Sequence, residues 1–206
     1  MSKRTALKTL AFLCGLYFIL EFFLPEKLGG DFDSYAVHSP VMVQTADGPA
    51  LFYAGQYRRE EGSIGRLVRA EDGTWAQEPQ GPVVPRSLFV PHDHWGMEQL
   101  DAAADGTVLH LFYFGQNAQL RPVLCHAEGD PSGTSWRKTD PPLFTHPGLP
   151  PSPPLNEPNG LLPGELNFFS ADRAAEGWRV LLVTERKGQG LGAWTASGER
   201  PDLLEL

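Results

Sequence analysis

The sequence is poor in cysteine, with only Cys14 and Cys125 among its 206 residues. Cys14 lies in an apolar N-terminal run, so no disulfide is available within the body of the chain, and packing must stabilise the fold. Cys125 has no partner in the sequence. We predict it to be a small buried hydrophobic residue rather than a nucleophile.

Blocks of basic residues are absent after residue 8, and the formal net charge is −8. Extended contact with a phosphate backbone depends on such blocks, so nucleic acid is not an expected partner. The sequence also contains no G-x-S-x-G, no Walker loop and no G-x-G-x-x-G motif. Serine-hydrolase chemistry and nucleotide binding therefore have no support, and no cofactor is predicted.

Residues that interrupt helices are abundant, with 19 prolines and 22 glycines. Long uninterrupted helices are therefore not expected after the N-terminus, and a turn-rich β architecture is favoured. A hydrophobic content of 41% is sufficient for a packed core. The composition predicts an all-β fold.

The N-terminus differs from the rest of the chain. Lys3, Arg4 and Lys8 precede an apolar run with one charge, TLAFLCGLYFILEFFL, which Pro25 ends. This pattern is typical of a signal sequence or a signal anchor. No small-x-small cleavage site follows, so we predict an uncleaved anchor. A cleaved signal peptide and a buried N-terminal helix are the alternatives.

The anchor prediction divides the chain into four parts. Residues 1–8 form a cytoplasmic segment, residues 9–25 the transmembrane helix, residues 26–35 a tether, and residues 36–206 the folded domain. The basic residues precede the helix, which places the folded domain outside the cytoplasm. We therefore expect a single-pass membrane protein with an extracytoplasmic C-terminal domain, or a secreted protein if the signal is cleaved.

An aromatic hexapeptide occurs twice. LFYAGQ at residues 51–56 returns sixty residues later as LFYFGQ at residues 111–116. Asp-Gly precedes each copy and a tryptophan follows each, Trp75 in the first unit and Trp136 in the second. A degraded third copy contains RVLLVTER at residues 179–186. Order is preserved as well as the motif, which identifies a repeat.

Each unit consists of short apolar runs separated by turn signals, of which Asp-Gly is a strong hairpin signal. About four antiparallel strands in roughly sixty residues is the size of a β-propeller blade, with the aromatic strand in its centre. The predicted fold is thus a partial β-propeller of about three four-stranded antiparallel blades after an N-terminal membrane helix. The blades are predicted at about residues 36–90, 91–148 and 160–206.

The repeat unit resembles the five-bladed propellers of the family 43 and family 32 glycoside hydrolases and their relatives. The residues that carry the resemblance are Pro40, Val41, Asp47, Gly48, Leu51 to Tyr53, Gly55, Ile64, Gly65, Asp72, Gly73 and Trp75. The resemblance implies that the domain binds or hydrolyses glycans. Three blades instead of five imply self-association or blades outside this sequence as partners.

In the resembled enzymes, carboxylates at the start of the innermost strands perform the chemistry, and glycosidic cleavage needs two of them. By this resemblance Glu165 would be the general acid, with Glu98 tuning or assisting it. We predict that Glu165 and Glu98 occupy equivalent places in blades three and two. His38, Trp95 and Asp101 are the predicted substrate-binding residues.

Two local sequence patterns bear on whether the predicted carboxylate site is catalytic. Glu98 and Asp101 are three residues apart, so in a regular strand they would point to opposite faces. Ser39 occupies the family's usual acidic position before proline, and serine cannot act as that base without a partner. Ser39 therefore favours the alternative function, a non-catalytic propeller fragment that acts as a binding or assembly module.

Two further patterns have structural interpretations. The sequence HDH places His92 and His94 on one face of an extended segment, but no third ligand stands at a recognisable spacing, so no metal site is predicted. The recurring aromatic residues are expected to pack in the core or between blades rather than to stack on sugars. These are Tyr53, Trp75, Tyr113 and Trp136.

Overall fold

The structure, a computed structural model, describes residues 32–58, 61–87, 93–94, 96–116, 122–140, 142–144, 165–186 and 190–206. Their regular structure is almost entirely β-strand, with one 3₁₀ turn at Pro201–Leu203. The predicted cytoplasmic segment, anchor and most of the tether lie outside these residues. Within them, no helix has the length and apolar character needed to cross a membrane.

The first antiparallel sheet, blade one, contains β1 (Ala36–Thr45), β2 (Gly48–Arg58), β3 (Glu61–Arg69) and β4 (Trp75–Gln77). The strands pair in sequence order, so the sheet is a meander. The strand with LFYAGQ, β2, lies between β1 and β3, as predicted.

The second sheet, blade two, repeats this order with β5 (Gly96–Asp105), β6 (Val108–Gln116), β7 (Pro122–Gly129) and β8 (Trp136–Lys138). LFYFGQ lies on β6, again in the interior of the sheet. The two copies of the hexapeptide therefore occupy the same strand of consecutive blades.

The third sheet, blade three, contains β9 (Glu165–Ala174), β10 (Gly177–Arg186) and β11 (Gly190–Gly198). RVLLVTER lies on the central strand β10, as predicted. Three strands rather than four are described here, but Ser197 of β11 forms a bridge with Glu205. That bridge lies at the outer edge, where the fourth strand of the other blades pairs.

Two hydrophobic clusters hold the blades together. Apolar side chains stand at successive positions along the central strands and point alternately to opposite faces, so both faces of a blade are apolar and can pack on a neighbouring blade. The cluster between blades one and two includes Phe52, Ile64, Met97, Leu111 and Tyr113. The cluster between blades two and three includes Phe112, Phe114, Phe169, Trp178 and Leu182.

Each innermost strand contains a β-bulge. The register of β1 shifts between His38 and Val41, and that of β5 shifts between Glu98 and Leu100. Ser39 and Gln99 lie at these bulges with φ of 51° and 26°, values that non-glycine residues rarely adopt. In β9 the shift leaves Asn167 outside the ladder.

The recurring aromatic residues pack as predicted, with one exception. Tyr53 and Tyr113 are buried, and Trp136 packs edge-on against Phe52 of blade one with ring centroids 5.4 Å apart. Trp75 is 40% exposed, so the packing prediction is wrong for it. The reason is its position, because Trp75 lies on the side of blade one that faces away from blade two.

Candidate functional site

The innermost strands of the three blades are neighbours in space, with β5 in contact with both β1 and β9. They line a cleft of about 470 Å³ at the level of their bulges. Its walls are residues 39–41 of β1, 99–101 of β5 and 168–170 of β9. This central cleft is where the resembled enzymes would have their channel.

Side chains of β5 join blades two and three across the central cleft. Gln99 Nε2 donates to the carbonyl oxygen of Phe169 at 3.1 Å. Asp101 Oδ2 accepts from the hydroxyl of Ser170 at 3.0 Å and from the backbone N–H of Ala171 at 2.8 Å. The carboxylate of Asp101 thus links two innermost strands, while its predicted contact with substrate stays a prediction.

The bulge at Gln99 changes which way the predicted acids point. Glu98 pairs with Phe114 and Asp101 pairs with Phe112, two positions on the same face of β6. The expectation that Glu98 and Asp101 face opposite sides is therefore wrong. The extra residue at the bulge makes their separation equivalent to two residues rather than three.

A second cleft, of about 320 Å³, lies between blades two and three at the starts of β5 and β9. We call it the carboxylate cleft, and its lining residues are Glu98, Phe114, Gln116, Pro122, Leu166, Asn167 and Glu185.

The polar groups of the carboxylate cleft are only partly used within the chain. Glu98 Oε1 accepts a hydrogen bond from Gln116 Nε2 at 2.9 Å. Gln116 Oε1 is buried and has no hydrogen-bond partner among the described residues. An unpaired buried acceptor beside two carboxylates favours a ligand that donates hydrogen bonds, such as one with several hydroxyl groups.

Glu165 does not occupy the place of Glu98, contrary to the predicted equivalence. Glu98 directly precedes the bulge of β5, whereas Leu166 directly precedes the bulge of β9. Glu165 lies one residue earlier and pairs with Glu185. Its side chain is outside the described part of the chain, so its catalytic role stays a prediction.

Glu185 is the residue that sequence reasoning missed. It is the second-last residue of β10 and pairs with the first residue of β9, as Gln116 of β6 pairs with the first residue of β5. Glu185 brings a second described carboxylate to the cleft of Glu98. The signal was available in the repeat, because aligning VLLVTE on LFYFGQ places Glu185 on Gln116.

The remaining predicted residues lie elsewhere. His38 Nδ1 is 3.2 Å from Ser39 Oγ, and His38 lines a groove of about 320 Å³ on blade one together with Asp33 and Tyr53. Trp95 is outside the described residues. The structure therefore places Glu98, Asp101 and His38 in three different depressions rather than in one site.

Blade two also contains two buried clusters of hydrogen-bonded polar side chains. The first contains Asp93, 1% exposed, which accepts from Tyr113 Oη at 3.2 Å and from Lys138 Nζ at 2.6 Å. Burial and the neighbouring charge of Asp93 raise the pKa of the Tyr113 phenol and of the Cys125 thiol well above their usual values. Cys125 is 3% exposed, so it is the buried residue that the sequence predicted.

The second cluster is a pair of histidines. His110 Nδ1 lies 2.9 Å from His126 Nε2, and His126 Nδ1 lies 2.7 Å from Thr139 Oγ1. Burial, followed by the neighbouring His110, lowers the pKa of His126 to about 3. Within the described ranges, no group of three His, Cys, Asp or Glu side chains is arranged to hold a metal ion.

Comparison with known proteins supports the fold. No family model and no curated protein match the sequence. Among solved structures, the chain is similar to fructan 1-exohydrolase IIa from Cichorium intybus, with 17% identity and a TM-score of 0.57. It is also similar to a family 117 glycoside hydrolase from the marine bacterium Zobellia galactanivorans, with 14% identity and a TM-score of 0.58. An endo-arabinase from Bacteroides thetaiotaomicron matches with 12% identity and a TM-score of 0.58.

These alignments cover most of this chain, but they cover only about a third to a little over half of each structural neighbour. They span 79%, 82% and 85% of this chain and 30%, 45% and 56% of the respective neighbours. The protein therefore has part of the β-propeller fold of glycoside hydrolases, as its repeats predicted. At these identities the likeness is one of fold alone.

Proposed function

We propose that the protein is a membrane-anchored, extracytoplasmic propeller domain that binds or hydrolyses glycans. The observation that carries the proposal is the carboxylate cleft, which lies between two blades of a glycoside hydrolase-like fold. Glu98 and Glu185 supply carboxylate acceptors for sugar hydroxyls, and Gln116 supplies an unpaired amide oxygen. Phe114 adds an apolar surface of the kind that ligand pockets combine with a few polar groups.

In the catalytic form of this proposal, Glu165 donates a proton to the leaving group and Glu98 tunes or assists it. Glycosidic cleavage requires one protonated and one ionised carboxyl group across the scissile bond. Glu185 lines the carboxylate cleft together with Glu98 and is the alternative to Glu165 as the acid. His38, Trp95 and Asp101 stay candidates for contact with more distant sugar residues.

The catalytic proposal is tested by turnover of defined glycans. Fructan and arabinan are the first choices, because the names of the structural neighbours refer to them. We expect release of reducing sugar by the wild-type chain, and loss of about 10²-fold or more in kcat for Glu98→Gln and Glu165→Gln. Glu176→Gln, an exposed turn residue outside the cleft, is the matched control. Full activity in both the Glu98→Gln and the Glu165→Gln variant would contradict the proposal.

The alternative is a non-catalytic propeller that acts as a binding or assembly module. Ser39 favours it, because a serine stands at the position where the resembled enzymes place an acid. Equilibrium binding of the same glycans separates the two functions. Binding without turnover that Glu98→Gln weakens supports a binding module, whereas neither binding nor turnover leaves assembly with other blades as the role.

The location of the protein is a separate proposal. The N-terminal run supports an uncleaved anchor with the propeller outside the cytoplasm, and a secreted protein is the alternative. Alkaline extraction of membranes distinguishes them, since an anchored chain stays in the pellet. Protease added outside intact cells should then degrade the propeller domain.

A further inference from the structure

The contact between blades one and two and the contact between blades two and three each join two different kinds of blade face. We call the leading face of a blade the one that packs on the preceding blade, and the trailing face the one that packs on the following blade. Leu111 and Tyr113 lie on the leading face of blade two, and Phe52 lies on the trailing face of blade one. Phe112 lies on the trailing face of blade two, against Trp178 of blade three.

The leading face of blade one is built like a buried face but is open among the described residues. Val37 pairs with Gly55 just as Met97 pairs with Gly115, yet Val37 is 61% exposed and Met97 is 0% exposed. Trp75 is likewise 40% exposed at the position where Trp136 is covered by Phe52.

The polar detail of this face is repeated as well. Tyr53 Oη donates to Asp33 Oδ2 at 2.7 Å, as Tyr113 Oη donates to Asp93 Oδ2 at 3.2 Å. The face also contains a largely apolar groove of about 320 Å³, between Val37, Leu51 and Leu67. Blade one thus presents the same kind of surface that blade two buries against its neighbour.

The trailing face of blade three is open in the same way. Leu181 is on the central strand, at the position that Phe52 and Phe112 hold in blades one and two. Phe52 and Phe112 are fully buried, whereas Leu181 is 43% exposed. Phe168 of the adjacent innermost strand is 47% exposed. Among the described residues, the three blades therefore present one open face of each kind.

We propose that these two faces pack on each other in different copies of the chain. The trailing face of blade three in one copy covers the leading face of blade one in a second copy, and Leu181 enters the groove beside Leu51. The chain makes this type of contact twice internally, between blades one and two and between blades two and three. A second copy continues the same interface with faces that every molecule carries.

The driving force is the burial of apolar side chains that are otherwise in water. Val37, Trp75, Phe168 and Leu181 are all at least 40% exposed and lie on the two open faces. Contiguous exposed apolar surface of this kind marks an association site. Because the faces differ, the contact is heterologous, so it forms a closed ring or continues from copy to copy.

The experiment measures the mass of the full chain by sedimentation in a density-matched detergent. We expect the wild-type protein to sediment as an assembly of two or more copies of the 22.7 kDa chain. Val37→Asp blocks the leading face and Leu181→Asp blocks the trailing face, so each variant alone should be a monomer. Leu203→Asp changes a residue that is 57% exposed in the 3₁₀ turn after β11, outside the strands that form the two open faces, and it should leave the assembly unchanged.

Mixing the two blocked variants gives the decisive result. The mixture retains one intact pair of faces, so it should form dimers and nothing larger. This rescue also shows that both variants are folded, because an unfolded face could not complement. A monomeric wild-type chain, assembly in both single variants, or a mixture that stays monomeric would each overturn the proposal. The readout is independent of glycan binding, so its failure leaves the proposed function intact.

Discussion

His110 Nδ1 and His126 Nε2 lie 2.9 Å apart in the buried region between blades two and three. Two imidazoles at this distance share one proton between their facing nitrogens, and a second proton there would set two N–H groups against each other and place a buried positive charge on one ring. The pKa of both rings is therefore lowered, mainly by burial, and that of His126 falls to about 3. The pair is neutral in the folded protein at ordinary pH.

The first prediction concerns acid stability. The folded-state pKa of each histidine is below the unfolded value near 6.5, so the unfolded chain takes up protons first as the pH falls. Stability is therefore highest above about pH 6.5 and decreases as the pH falls below it, by up to about 1.4 kcal/mol per pH unit for each ring, and the contribution of His126 continues to about pH 3. Urea unfolding at several pH values measures this slope.

A histidine variant isolates the contribution of the pair. His126→Gln removes one titrating ring, so its stability should depend less steeply on pH between 6.5 and 4 than that of the wild-type chain. Gln44→Ala changes an exposed side chain with no titrating group, so it is the control and should keep the wild-type slope. Equal slopes in all three proteins would contradict this account of the pair.

The second prediction compares two aspartates at equivalent positions. Asp93→Ala leaves the Lys138 ammonium and the Tyr113 hydroxyl without their buried partner, which should cost about 3–5 kcal/mol. Asp33→Ala removes only the hydrogen bond of Tyr53 on a half-buried carboxylate, which should cost about 1 kcal/mol. The free energies of unfolding in urea give both values. Similar losses in the two variants would contradict the prediction, because they would show that Asp93 stabilises blade two no more than Asp33 stabilises blade one.

The third prediction concerns the attachment of blade three. Asp101→Asn weakens charge-assisted hydrogen bonds from Ser170 and Ala171, and it should destabilise the protein by about 1–3 kcal/mol. Amide hydrogen exchange should become faster in β9 of blade three, with a smaller change in β2 of blade one. Asp172→Asn is the control, since this carboxylate is 73% exposed and forms a loose ion pair with Arg179 at 3.7 Å. Uniformly faster exchange in all three blades would argue against a local role.

The fourth prediction concerns the thiol of Cys125. Burial raises its pKa well above the usual value, so the thiolate is scarce and inaccessible in the folded state. A thiol reagent should modify Cys125 only after unfolding in denaturant. Peptide mass mapping separates this reaction from modification of Cys14. Rapid labelling of Cys125 under native conditions would show that blade two opens at its centre.

The sequence specifies the blades better than it specifies the site. The continuous apolar runs of LFYAGQ and LFYFGQ predict central strands, because a strand that is buried on both faces has apolar side chains at successive positions. The bulges at Ser39 and Gln99 have no comparable signal, since neither residue is a glycine and both adopt positive φ. A bulge reverses the side of every residue before it, which is why the faces of Glu98 and Asp101 and the alignment of Glu165 were predicted wrongly.

The bulges have a consequence for how such a domain can diversify. Each one separates the first residues of an innermost strand from the part that pairs in regular register with the aromatic strand. The position directly before the bulge is therefore occupied by His38 in blade one and by Glu98 in blade two, although the two blades have the same strand arrangement. A duplicated blade can in this way keep its inherited core and change the chemistry at its rim, one residue at a time.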